Sequence, residues 1–282
     1  MAEIKFYGGV GSVTGANFMV QTDITTLLVD CGLIQGDYFS REINAKPFPY
    51  DPSRVDTLFI THAHADHIGR VPKLFKAGFK GDVYSTSATK DLAAAMFKDA
   101  YKVMCYEVKR YGAPLLYEEK HIDQALSAWQ GVSYHEPLTL NDGITAHFTD
   151  AGHILGSAML NLSRGDKKIV FTGDIGNKPQ PLLSPPTVPK DYDYLIMESV
   201  YGDRKHEDVS ERTALLKRYI EKTTSVNGTL IIPAFSLERT QGLLFEINNL
   251  VESGAIKPIP TFLDSPHQTL SLIHISEPTR PY

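Results

Sequence analysis

His62-Ala63-His64-Ala65-Asp66-His67, directly behind the apolar run Thr57-Leu58-Phe59-Ile60-Thr61, constrains this chain more than any other stretch. Four side chains of metal-binding type fall within six residues. In an extended chain, residues two apart point the same way, so His62 and His64 can converge on one metal. Asp66 and His67 come where the chain turns into Ile68-Gly69-Arg70-Val71-Pro72-Lys73-Leu74-Phe75, a helix start by pattern. That change of direction aims them at a second metal beside the first. A polar turn that is merely rich in histidine would gain nothing from ordering three imidazoles and a carboxylate at a strand end. A hydrolytic two-metal site accounts for the pattern best.

More ligand types follow. His153 sits in the glycine-flanked turn Ala151-Gly152-His153-Ile154-Leu155-Gly156. Alone it would read as a loop residue; with a two-histidine half-site upstream it becomes the third nitrogen ligand of the first metal. Asp174, in Phe171-Thr172-Gly173-Asp174-Ile175-Gly176, ends a β-rich run. Its two oxygens can bridge two cations about 3.5–4 Å apart. Asp30, in Leu28-Val29-Asp30-Cys31-Gly32, ends another strand and is expected to orient a ligand histidine or the bound water. Histidine and carboxylate ligands suit zinc or a similar divalent ion, and two zinc ions are the expected cofactors.

The charge arithmetic points to an anionic substrate. Two divalent ions bring four positive charges; Asp66 and Asp174 remove two, and a bridging hydroxide one more. The pocket stays positive, which favours a group such as a phosphodiester. The ions also bring the pKa of a shared water to about 7 for zinc, so that hydroxide is available as nucleophile.

A chain of 282 residues holds one large domain or nearly two. Hydrophobic residues at 42% and charged residues at 22% leave a substantial core available. A net charge of −5 argues against bulk electrostatic coating of nucleic acid, though not against a local basic groove. No apolar run approaches about eighteen residues, and Met1-Ala2-Glu3-Ile4-Lys5 lacks a charged leader followed by an apolar stretch, so a cytoplasmic protein is expected. Cys31 and Cys105 read as small core residues rather than a disulfide framework.

Short β-type runs at Ile4–Tyr7, Asn17–Thr22 and Thr26–Asp30 open the chain. The Leu58 strand, a helix from about Asp66 to Ala77, the strand Asp82–Ser85 and a helical stretch from Ser87 to Tyr111 follow. Gly143–Phe148, Ala158–Leu162 and Lys168–Phe171 are expected strands, and Tyr194–Met197 is a strand ending in Glu198. Beyond it, a helix to Thr224, a strand Thr229–Ala234, a helix from near Ser236 and a strand Pro260–Asp264 alternate. That order suggests a parallel α/β sheet and a second domain opening near residue 205. Gly9-Val10-Gly11-Ser12-Val13-Thr14 superficially suggests a dinucleotide fingerprint, but strand follows where that motif needs a helix.

Asp30, His62-x-His64-x-Asp66-His67, His153 and Asp174, in this order, resemble the metallo-β-lactamase superfamily. Glu198, in Met197-Glu198-Ser199-Val200-Tyr201-Gly202-Asp203-Arg204, resembles the acidic motif of its β-CASP branch, whose members process RNA or DNA. Gly11-Ser12-Val13-Thr14-Gly15-Ala16 and Pro233-Ala234-Phe235-Ser236-Leu237-Glu238-Arg239-Thr240-Gln241 are similar to that branch too. The likeness runs from about Ile4 to Pro266. It implies an α/β fold: an αββα sandwich, here incomplete, interrupted by the start of an inserted β-CASP α/β domain. The expected divisions are residues 1–204, 205–266 and a non-native tail over 267–282.

By the same resemblance, His62, His64 and His153 hold one metal, Asp66 and His67 the other, and Asp174 bridges them. Glu198 matches a catalytic acidic residue that pairs with a histidine thought to protonate the leaving group. The family's two further histidines, one a ligand of the second metal and one the partner of the residue matching Glu198, do not occur before Pro266. After it, His267 and His274 lack the expected strand context, and the terminal dozen residues look like translated adapter sequence. The expectation is therefore a fragment that binds its first metal more tightly than its second and is impaired in activity.

The activity implied is zinc-dependent cleavage of RNA phosphodiester bonds by a metal-bound hydroxide, with single-stranded DNA as the alternative substrate. No membrane is involved, and a homodimer stays open as the assembly. Lys98, Lys102, Lys109, Arg110, Arg204 and Lys205 are the candidate nucleic-acid contacts, each of which a solvated face explains equally well. Thioester or lactam hydrolysis, flavin-linked di-iron redox chemistry and a non-catalytic nucleic-acid-binding subunit are the competing readings. His64, where di-iron relatives carry glutamate, argues against redox chemistry, and the intact ligand set argues against a non-catalytic subunit.

Overall fold

The computed structural model describes residues 2–36, 39–177, 181–204, 211–234 and 237–263. The chain divides into two compact units, Met1–Glu198 and Ser199–Tyr282. In the first, six strands form one sheet: β1 (Glu3–Gly8), β2 (Asn17–Gln21), β3 (Thr26–Val29), β4 (Thr57–Phe59), β5 (Asp82–Thr86) and β6 (Trp129–Val132), in that order across the sheet. The first two pairings are antiparallel, and those from β3 to β6 are parallel. A second sheet has the order β11 (Tyr194–Ile196), β10 (Lys167–Phe171), β9 (Ala158–Arg164), β8 (Ile144–Asp150) and β7 (Leu138–Thr139). It is antiparallel except for the parallel pair β10/β11.

Side-chain alternation explains why the sheets face each other. Leu27 and Val29 on β3 and Phe59 on β4 turn inward to meet Ile144, Phe148, Leu160, Leu162 and Phe171 of the second sheet in one buried cluster. Leu28 and Leu58, one residue out of phase, are equally buried, which marks a strand pair covered on both faces. The helices α1 (Ser40–Ala45), α2 (Ala65–Ile68), α3 (Val71–Lys76), α4 (Ser87–Tyr111) and α5 (Glu119–Ala128) belong to this unit. Among them α4 and α5 lie against β5 and β6. Thr89, Leu92, Ala93 and Phe97 form the buried stripe of α4 at helical spacing. Two sheets with helices against the first give the α/β sandwich that the sequence led us to expect.

Three expected elements need correction. The helix over Asp66–Ala77 is two helices, α2 and α3, broken at Gly69-Arg70. Arg70 N–H donates to Cys31 O rather than to a helical carbonyl, and Pro72 begins a new helix well but cannot continue an old one. In the second unit, α6 (Arg212–Thr224) and α7 (Arg239–Glu252) are joined by a core of Ile220, Leu250 and Ile256 and by Thr213 Oγ1 donating to Glu246 at 2.9 Å. The expected strand Thr229–Ala234 is unpaired chain, as are residues 260–263. A strand needs a neighbour for its backbone groups, and no strand of this unit lies among the described residues.

Ser236, Lys205 and everything from Asp264 onward, including His267 and His274, lie outside the described residues. No helix among those described is long and apolar enough to cross a membrane.

Candidate metal centre

The parallel strands β3 and β4 end side by side, and the segments that leave them are laced together. Cys31 N–H donates to His67 O at 2.8 Å, Leu33 N–H to Ala65 O at 2.9 Å, and Ala16 N–H to Asp66 O at 3.0 Å. Gly32 is required by this lacing, because a Cβ there would lie 1.5 Å from Asp66 O. The turns after β8 and β10 meet in the same way: a Cβ on Gly176 would lie 1.5 Å from Gly152 O. Backbone-to-backbone contact therefore fixes the His64–His67 segment, and sets the Asp174 turn against the His153 turn. The site forms at the ends of the strands, where parallel sheets usually build one.

His62, His64, His153 and Asp174 each offer one ligand atom, all within 4.8 Å of one another. His64 Nδ1 lies 3.0 Å from His62 Nε2 and 3.1 Å from His153 Nε2. Asp174 Oδ2 lies 3.7 Å from His62 Nε2 and 3.5 Å from His153 Nε2. Zinc–nitrogen bonds of about 2.0–2.1 Å separate the donors of a tetrahedron by about 3.3 Å, so the spacing fits one divalent ion. The other oxygen of Asp174, Oδ1, faces His67 Nε2 at 3.3 Å, and Asp66 Oδ2 lies 3.9 Å from the same nitrogen. One carboxylate thus turns its two oxygens to two neighbouring groups of donors.

Thr61 and Asp30 set the histidine tautomers. Asp30 is fully buried and has φ 59°, a conformation that aspartate tolerates better than most residues. It accepts from Thr61 N–H and Thr61 Oγ1–H, both at 2.8 Å, and Asp30 Oδ2 lies 2.8 Å from His67 Nδ1. Having given its proton to Asp30, Thr61 Oγ1 can only accept from His62 Nδ1–H, 3.1 Å away. Both rings then turn Nε2 into the cluster. Asp30 is a positioning residue, placed behind His67 rather than in the open site.

Burial, reinforced by the His67, His64 and His153 rings, holds the His62 pKa well below the ordinary histidine range. Burial would lower His67 too, but the Asp30 and Asp174 carboxylates outweigh it and hold its pKa well above that range. Burial raises Asp66. It would also raise Asp174, yet the bond to His67 and the charges of His67, His153 and His64 lower it. A ligand must lose its proton before it binds metal. The surroundings thus favour the neutral form of His62 and the protonated form of His67. Metal uptake by the His67 donors should therefore release a proton and strengthen with rising pH, while uptake by His62, His64 and His153 varies less. Calorimetry in buffers of different ionisation enthalpy reads this directly.

The His153 turn is pinned from α4. Thr86 and Thr89 both donate to Gly156 O, at 2.7 and 2.8 Å, and Ser157 Oγ accepts from His153 N–H at 2.9 Å. Replacing both threonines by valine keeps the shape and leaves a buried carbonyl without donors. A loss of about 1–3 kcal/mol in stability is expected, with weaker metal binding through His153, measurable by denaturation and chelator competition. Glu198, beyond β11, accepts from Ile175 N–H at 2.7 Å and so steadies the loop that carries Asp174.

Comparison with known proteins follows the same lines. Residues 19–188 match the family described as a metallo-beta-lactamase superfamily domain. The chain belongs to the metallo-β-lactamase superfamily. This metallo-β-lactamase chain is 35% identical over 260 residues to Ribonuclease TTHA0252 of Thermus thermophilus, covering 92% of this chain and 57% of that protein. It is 32% identical over 279 residues to an RNase J-like protein of Methanocaldococcus jannaschii, with 97% and 60% covered. Transcription termination factor FttA of Methanosarcina mazei is 30% identical over 282 residues, with 96% and 43% covered. The chain thus spans about half the length of the curated relatives it matches. The β-CASP resemblance of the Glu198 segment agrees with these names. A crystal structure of a protein of unknown function from Enterococcus faecalis shares the fold, with a TM-score of 0.57 at 13% identity over 96% of this chain and 67% of that one.

Among the described residues, the structure brings His62, His64, His153 and Asp174 together, with Asp66 and His67 beside them and Asp30 behind. Thr61, Ser157, Thr86 and Thr89 were missed. Thr61 and Ser157 lie within four residues of a histidine, which is a usable signal; Thr86 and Thr89 act across 67–70 positions, and spacing could not reveal them.

Proposed function

We propose that this chain is a zinc-dependent phosphodiesterase of the β-CASP type that acts on RNA. The observation that carries the reading is Asp174, whose two oxygens face different donor groups. In this reading His62 Nε2, His64 Nδ1, His153 Nε2 and Asp174 Oδ2 hold one zinc ion, and Asp66, His67 Nε2 and Asp174 Oδ1 hold the other. When bound, the pair would make a water molecule acidic enough to attack at neutral pH and offset charge on a phosphate. The chain's own residues do the rest. Thr61 and Asp30 present bare imidazole nitrogens, Glu198 holds the Asp174 loop through Ile175 N–H, and the neutral His62 spares a two-carboxylate site from extra charge.

The first donor set has four members and the second three among the described residues, so stepwise loading is part of the reading. Residues 1–204 would be the metallo-β-lactamase domain and 205–266 the opening of a β-CASP domain. The names of the relatives, two ribonuclease-like and one a termination factor, support RNA as substrate and a cytoplasmic place of action. RNA cleavage that stops in EDTA and returns with zinc is the expected result. Turnover of a thioester, with RNA left intact, would overturn the proposal.

A further inference from the structure

The second half of α4 presents an unusual surface for a chain with a net charge of −5. From Leu92 onward its exposed positions are Lys98, Lys102, Val103, Tyr106, Lys109, Arg110 and Tyr111, with no carboxylate among them. Lys98, Lys102, Tyr106 and Arg110 follow at intervals of four and make one stripe. Helix dipole chemistry explains basic residues in the last turn, such as Lys109 and Arg110. It does not explain Lys98 and Lys102, two to three turns earlier.

The aromatic rings are held in place. The Arg110 guanidinium stands 5.6 Å from the centre of the Tyr106 ring and 5.4 Å from that of Tyr111, and Arg41 of α1 stands 5.6 Å from Tyr111. Two half-buried carboxylates of α4, Asp99 and Glu107, adjoin the stripe, and Glu107 is paired with Arg41 at 2.6 Å. Both tyrosines remain about half exposed, Tyr106 at 53% and Tyr111 at 59%.

We propose that this face of α4 is a docking surface for single-stranded RNA, separate from the metal centre. Phosphates lie along Lys98, Lys102 and Lys109, and bases stack on the Tyr106, Tyr111 and Arg110 planes. Cationic stripe plus fixed aromatic planes is the combination that single strands select, and a duplex offers no free base faces to such rings. Residues 98–111 span about 20 Å of helix, room for about six phosphates at the stacked spacing of about 3.4 Å. The helix starts at the His153 turn through Thr86, with the stripe beginning about 17 Å further on. The proposal rests on the RNA-acting reading above and adds to it where the strand is held.

The test is binding of a fluorescent single-stranded RNA of about 20 nucleotides to the full chain in EDTA, read by anisotropy across a salt series. Lys98→Glu with Lys102→Glu should weaken binding at least about tenfold and lower the log–log salt slope by about 1.4. Tyr106→Ala with Tyr111→Ala should weaken it by about fivefold or more and leave the slope unchanged. Wild-type affinity in either pair overturns the proposal, as does displacement of the RNA by polyglutamate as readily as by unlabelled RNA. Zinc-dependent hydrolysis of bis(p-nitrophenyl) phosphate should be the same in all variants. Its absence in the parent chain would count against the catalytic reading, while the binding data still decide this one.

Discussion

Asp174→Ala should leave the chain folded and remove the proposed hydrolytic activity. The side chain is about a quarter exposed, at 27%, and closes no core, so the melting temperature of the metal-free chain is expected to move by only a few degrees. Its loss strips one oxygen from each donor group at once. In the proposed two-zinc reading, both donor groups would then hold their ions with fewer ligands. A two-metal site supplies several kcal/mol of charge stabilisation, so hydrolysis should fall by about a thousandfold or more. Asp174→Asn separates the two roles, because an amide keeps one acceptor oxygen and offers a donor at the other position. Calorimetry on that variant should show one zinc equivalent where the parent shows two, and activity close to that of the alanine variant.

The second large effect is at Asp30, which touches neither the open site nor solvent. Asp30→Asn preserves shape but exchanges an acceptor for a donor. If the amide NH2 takes the Oδ2 position, it donates to His67 Nδ1, which must then carry the lone pair. The proton moves to Nε2, the atom that faces Asp174, and Nε2 is no longer a ligand. Metal affinity of the His67 donors should drop by about 10–100-fold, with the His62, His64 and His153 group much less affected. Asp30→Ala is harsher, since it strands Thr61 N–H and leaves buried His67 Nδ1 without its carboxylate partner, and should cost about 3–5 kcal/mol of stability. Zinc titration and thermal denaturation of the two variants distinguish a tautomer effect from a folding effect.

How much of this was visible beforehand depended on how local the cause was. The donor cluster was legible because residues two apart in an extended segment point the same way, and His62 Nε2 and His64 Nδ1 do lie 3.0 Å apart. Strand β8 was legible through alternation, and β3, β4 and β9 through short apolar runs buried on both faces. The break between α2 and α3 was not, because it depends on Arg70 N–H bonding to Cys31 in a different part of the chain. The strand β6 was also hidden. Gln130 and Gly131 give it no apolar pattern, and it is held instead by Trp129, whose indole N–H donates to Ser85 at 2.8 Å. Thr229–Ala234 shows the reverse failure: an apolar run with strand composition that has no neighbouring strand among the described residues, and Ile231 is 82% exposed. Composition proposes a strand, but only a partner makes one.

The most direct test of the account is a zinc titration of the metal-free chain, with bound zinc and RNA cleavage recorded on the same samples. The account predicts one tight equivalent at His62, His64, His153 and Asp174, a weaker second whose affinity rises with pH, and cleavage that grows as the second loads. Cleavage at full rate without metal would contradict it, and so would zinc binding that survives replacement of His62 and His64 together.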